Sequence, residues 1–271
     1  MMKLSLNYLI VLFLLAFGLE LSGQKTFQPK ATQFDWKGIV YRKERAFEAR
    51  LHTNGALIGM NFGEILTYYK TKYYHVSIGI LKDPREKRQN RNLSFTFPDR
   101  SKAFAFGKQN SVINLRAGMG MKRFISEKAR RKGIAIGYDY QIGPSLAILK
   151  PYYLELLYIT EDDDGIIDRE LRTERYTPEN ATKFTTFNEI FGGAGYFTGF
   201  NDLRVVPGLQ MNLGLFFSMG AFDKYVKAIE LGMMADIYTK KLPIMIETEE
   251  ISNKPYYINF YMKFLMGKRS N

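Results

Sequence analysis

The sequence predicts an all-β protein: an antiparallel transmembrane β-barrel of about eight strands, ten or twelve if further segments pair, with long outer loops. Three observations predict it. In the best segments apolar and polar residues alternate with period two over about ten residues, the length a tilted strand needs to cross a bilayer and longer than an ordinary soluble strand. The face opposite the apolar one is rich in glycine and charge, which suits a crowded polar lumen better than an apolar core. Short and long connections alternate along the chain, as hairpin turns at one end and loops at the other require.

The elements follow in chain order. Met1 to Lys3 is a short basic start, Leu9 to Gly18 is an apolar core, and Leu21-Ser22-Gly23 ends on a small residue before Gln24. The apolar core is too short to span a bilayer as a helix, so residues 1–23 read as a signal peptide. Residues 24–44 are expected to form an N-terminal periplasmic segment, 45–267 the barrel and 268–271 a C-terminal tail. After Gln24 no apolar run reaches the length of a membrane helix. A mature chain that crosses a membrane must then do so as a closed barrel.

Eight strands are legible. Phe47, Ala49 and Leu51 oppose Glu48, Arg50 and His52. Ala56, Ile58, Met60 and Phe62 oppose Leu57, Gly59, Asn61 and Gly63. Tyr74, Val76, Ile78 and Ile80 oppose Tyr73, His75, Ser77 and Gly79. Ile113, Leu115, Ala117, Met119 and Met121 oppose Asn114, Arg116, Gly118, Gly120 and Lys122. Ile134, Ile136, Tyr138, Tyr140 and Ile142 oppose Gly133, Ala135, Gly137, Asp139, Gln141 and Gly143. Leu209, Met211, Leu213, Leu215 and Phe217 oppose Gly208, Gln210, Asn212, Gly214 and Ser218, with Phe216 an exception on the polar side. Ile229, Leu231, Met233, Ala235 and Ile237 oppose Ala228, Glu230, Gly232, Met234 and Asp236. Ile258, Phe260, Met262, Phe264 and Met266 oppose Tyr257, Asn259, Tyr261, Lys263 and Gly267, with Leu265 the exception. Tyr152 to Ile159 and Leu93 to Phe97 are the segments that could raise the count.

Thr53-Asn54-Gly55 is a tight hairpin signal. The links 64–72, 123–132 and 219–225 are short; 82–109, 149–207 and 239–255 are longer. With both termini periplasmic, every long link falls outside. Tyr68, Tyr69, Tyr73 and Tyr74 at one end, and Tyr152, Tyr153, Tyr256 and Tyr257 at the other, suit interfacial aromatic girdles.

At this point the chain resembles small outer-membrane β-barrel proteins of Gram-negative bacteria, especially those of Bacteroidota. The resemblance rests on the signal ending Ser22-Gly23-Gln24 and on the closing strand from Tyr257 to Lys268. It implies an outer-membrane location and assembly by the barrel-assembly machinery, and little about activity. The best-known relatives end on an aromatic residue, whereas this chain continues through Gly267, Lys268, Arg269, Ser270 and Asn271.

Ten inward positions carry charge or titrate: Glu48, Arg50, His52, His75, Arg116, Lys122, Asp139, Glu230, Asp236 and Lys263. An eight-stranded barrel has an interior that side chains just fill, and an unpaired buried ion is costly, so the near balance of signs reads as a salt-bridge network plugging the lumen. A narrow ion path is the alternative. The two histidines are the only ones in the chain. A lipid-processing barrel enzyme would use one as a general base, but no Ser-His-acid spacing is recognisable, so the expectation is no enzyme. The chain has no cysteine, which excludes disulfides, thiolate metal sites and a cysteine nucleophile. No cofactor is expected.

Glu161 to Gly165 with Asp168 has the look of a calcium loop. Aligned on Gly165, however, its first and twelfth positions are Thr160 and Leu171, so both end ligands are missing and a solvated acidic loop fits better. The net charge is +12, and Lys82 to Arg91 is a basic run in an outer loop. On an exported protein it points to solvation or lipopolysaccharide phosphates, not nucleic acid. The expected partners are outer-membrane lipid and lipopolysaccharide, the assembly machinery and an envelope protein. The expected role is non-enzymatic: structural, partner-binding, or accessory to an envelope export machine.

Overall fold

The computed structural model describes residues 40–90, 101–126, 133–161, 167–248 and 252–271. The expected signal peptide and the segment Leu93 to Phe97 lie outside them. In chain order the strands are β1 (Lys43–His52), β2 (Gly55–Thr67), β3 (Lys70–Leu81), β4 (Arg88–Gln89), β5 (Phe104–Ala105), β6 (Asn110–Phe124), β7 (Ala135–Pro151), β8 (Tyr153–Glu161) and β9 (Ile167–Arg175). A short helix α1 (Ala181–Thr185) follows, then β10 (Ile190–Gly193), β11 (Arg204–Ser218), β12 (Tyr225–Tyr238) and β13 (Tyr256–Ser270).

Eight of these close an antiparallel barrel in the order β1-β13-β12-β11-β7-β6-β3-β2. They are the eight strands read from the alternation. Each barrel strand turns large apolar residues outward: Leu51, Ile58, Val76, Leu115, Ile142, Leu213, Met233 and Phe260, one per strand, are 37–64% exposed. Their sequence neighbours point inward and are buried, apart from the half-buried Gly143 and Gly232, as period-two pleating dictates. The hairpin at Gly55 is fixed by stereochemistry. Its φ is +153°, and a Cβ there would collide with the Ile80 carbonyl oxygen.

Several expectations need correction. β7 runs on through Pro144 to Pro151, pairing with the start of β11 and of β6. β13 reaches Ser270, opposite Lys43, so the expected tail 268–271 is mostly strand and the N-terminal segment yields Lys43 and Glu44 to β1. Residues 153–161 do form a strand, but outside the barrel, in a three-stranded sheet of order β10-β8-β9. Of the expected girdle tyrosines, Tyr69, Tyr74 and Tyr256 are exposed, but Tyr73 and Tyr257 point inward and are buried. Tyr152 and Tyr153 are tied into the loops: the Tyr152 hydroxyl accepts from the Ala105 amide, and the Tyr153 hydroxyl donates to Asp202.

The two ends differ. The start of β1, the end of β13 and the other short connections lie at one end; the three long links and the 53–54 hairpin lie at the other. Residues 242–245 of the third link fold inward: Leu242, Ile244 and Met245 are buried against Leu81, Val112, Leu149 and Val206, closing the loop end with an apolar plug. Backbone bonds hold it, Leu242 N to Lys254 O and Ile246 N to Gly107 O. Asn253 clamps Met245 through both its amide atoms, and the Asn110 amide donates to the Pro243 carbonyl. Above this plug the loops have a small core of their own, with Phe104, Leu154, Leu156, Phe184, Ile190 and Ile246 at its centre.

Candidate functional site: the barrel interior

All ten of the expected inward residues are buried, none more than 8% exposed. They sort into tiers along the barrel axis. In the middle, Lys263 lies beside Glu230 on the neighbouring strand and crosses the lumen to Asp139, with Nζ–O distances of 2.6 and 2.8 Å. Asp139 also accepts from the Tyr73 hydroxyl at 2.8 Å, and Glu230 from the Tyr261 hydroxyl at 2.6 Å. Arg50 pairs with Glu48 at 3.3 Å, donates across the barrel to Gln141 and stacks over the Tyr261 ring. The Asn61 amide donates to the other Glu48 oxygen at 2.9 Å. Arg50 and Lys263 are register partners on β1 and β13. Like charges so placed repel, and the three carboxylates around them offset that repulsion.

Towards the loop end, Arg116 makes a fork with Asp236, at 2.9 and 2.8 Å. This bidentate geometry is the strongest form of the pair. Towards the terminus end, Lys122 pairs with Glu44 at 3.0 Å, and Arg269 meets the other Glu44 oxygen at 2.9 Å. Glu44 and Arg269 were not among the expected residues. Both sit at strand ends, where the alternation fades into polar sequence. They add one acid and one base, so the interior holds Glu44, Glu48, Asp139, Glu230 and Asp236 against Arg50, Arg116, Lys122, Lys263 and Arg269. The signs balance.

The histidines stand apart from these pairs. The His75 Nε2 lies 2.8 Å from the Gln210 amide, and its other nitrogen makes no hydrogen bond. His52 lies beside the Asn259 side chain, with no carboxylate or hydroxyl on either ring nitrogen. A general base needs a nucleophile on one nitrogen and an orienting group on the other, and neither imidazole is so placed. Among the described residues no cluster of three or more His, Cys, Asp or Glu could hold a metal ion. The expected acidic loop lies largely outside the described residues, at 162–166.

The inward glycines make room for these struts. A Cβ on Gly120 would run into the Tyr73 ring. One on Gly214 would sit 2.7 Å from the Tyr261 hydroxyl and 2.8 Å from Glu230 Oε1. Gly214→Val should therefore destabilise the barrel by about 1–3 kcal/mol through overpacking. A lowered urea midpoint in micelles checks this; an unchanged midpoint would show that the interior has slack.

In the long loops the basic run is partly neutralised. Arg85 grips Asp83 through two hydrogen bonds, which hold the Asp83 carboxyl below the usual range. Lys108 meets Glu86 at 2.7 Å.

The fold and interior together define a class: a small closed β-barrel with apolar side chains outside and ion pairs across its interior. No known protein family matches the chain, and no curated protein is similar to it.

Proposed function

We propose that the protein is an outer-membrane β-barrel of a Gram-negative bacterium of the Bacteroidota type, non-enzymatic, with a plugged lumen, serving a structural, partner-binding or export-accessory role. The observation that carries this reading is the apolar belt. All eight barrel strands expose large apolar side chains. Soluble monomers rarely expose apolar patches beyond a few hundred Å². A belt that encircles the molecule is stable where lipid surrounds it, and the polar residues are kept on the inside. No described helix is long and apolar enough to cross a membrane. The loop-end sheet, with its own core, offers a partner a firm surface.

Cell fractionation with heat-modifiable migration tests the location. The unboiled protein from outer-membrane fractions should run at a different apparent mass from the boiled protein. Recovery from the soluble periplasm with no mobility difference would overturn the membrane reading.

A further inference from the structure

A cleft of about 450 Å³ opens where the barrel meets its loops, between the ends of β3, β6 and β7 and the segment 194–198. That volume lies in the range of small-ligand sites. Five bases line it: Lys82, Arg88, Lys102, Lys108 and Lys150. Among the described lining residues Glu86 is the one acid, and it is already taken by Lys108. Lys150 is buried, yet its ammonium is held by neutral groups. It donates to the Tyr196 and Thr198 carbonyls at 2.6 and 3.1 Å and lies 5.0 Å from the Tyr196 ring and 5.1 Å from that of Phe200. Burial pulls the Lys108 ammonium below its ordinary range. Glu86 opposes that pull, and Lys82 and Arg88 add repulsion. An uncompensated cationic cleft is matched by an anion with several acceptor oxygens.

The surroundings say where the anion comes from. The cleft also touches Ile80 and Ile113, on the outward face of the barrel. Beside it, Tyr196 and Phe197 are 67% and 82% exposed and pack edge to face, with Phe200 against both. Cations above apolar surface, rimmed by exposed aromatics, match an amphiphile with a charged head. We propose that this cleft binds the phosphate of an anionic lipid headgroup, whose acyl chains run down the barrel along Ile80 and Ile113. The proposal rests on the membrane reading above.

Reconstitution of the full chain separates the two. Vesicle flotation and heat-modifiable migration in pure phosphatidylcholine read insertion alone; failure there removes the membrane reading. Vesicles doped with phosphatidic acid then read the cleft, by native mass spectrometry of lipid retained on the extracted barrel. The wild type should retain phosphatidic acid over phosphatidylcholine. The variant K82Q/R88Q/K102Q, which spares the Lys108–Glu86 pair, should retain roughly tenfold less, since it loses three charge-assisted contacts. K224Q/K227Q/K268Q removes equal charge from exposed positions at the opposite end and should change nothing. Normal insertion with no preference for phosphatidic acid, or equal loss in both variants, overturns the cleft alone. Displacement of the lipid by millimolar inorganic phosphate would show a site for soluble phosphate and overturn the lipid source.

Discussion

Lys263→Met should cost the barrel about 3–5 kcal/mol, the range seen when one partner of a buried ion pair is removed and the other left uncompensated. Here one ammonium serves two carboxylates, Asp139 and Glu230, and all three groups are almost inaccessible to solvent. The bond to Asp139 also spans the lumen, joining strands that are not neighbours in the sheet. Removing it should leave two buried acids with only the Tyr73 and Tyr261 hydroxyls to donate to them. Urea titration in micelles, followed by heat-modifiable migration, measures the loss. Adding Glu230→Gln to Lys263→Met should recover part of it, because one stranded charge is then gone. Arg116→Ala should lose about 3 kcal/mol, for it strands Asp236 in the same way. Arg172→Ala is the contrast. Its pair with Glu170 is about half exposed on both sides, and surface pairs of that kind contribute little. A Lys263→Met barrel as stable as the wild type would show that the interior ions are hydrated and not mutually dependent.

The barrel was legible because period-two alternation is a property of each strand alone, and eight such segments were long enough to stand out. The inward residues followed from the same pattern, since pleating fixes the face of a residue by its parity. What the parity could not supply was partnership. Lys263 and Asp139 are 124 residues apart, and only the strand order sets them across one lumen. Glu44 and Arg269 were missed because the outward residues beside them, Lys43, Arg45, Lys268 and Ser270, are polar, so no alternation survives at those strand ends. Tyr73 shows the opposite limit. Its membership of the inward face was readable, yet its neighbours Tyr68, Tyr69 and Tyr74 made a girdle the easier reading. The plug was hidden by its position in a long link, although Leu242-Pro243-Ile244-Met245-Ile246 is an apolar run that a solvated loop has no reason to carry.

Purified protein in a planar bilayer should show no conductance steps. Eight strands enclose an interior that side chains fill, and here three tiers of ion pairs cross it: Arg116–Asp236, Lys263–Asp139 and Lys122–Glu44. An ion path would need a row of groups of one sign, weakly enough held to release what they bind. These groups alternate in sign, and each base already has a carboxylate at salt-bridge distance. Both ends are also obstructed. Leu242, Ile244 and Met245 fill the loop end. At the terminus end the Tyr68 ring stacks on Phe222 at 3.9 Å, and Phe124 packs against both Phe222 and Phe216. Single substitutions in the ion pairs should therefore lower stability while leaving the recordings silent, since removing one strut leaves the plug and the remaining tiers in place. Replacing residues 242–246 with a Gly-Ser run should not open a path either, because the tiers below it stay intact. Steady, reproducible steps from the wild type would mean that water threads the ion pairs, and the plugged interior would have to be given up.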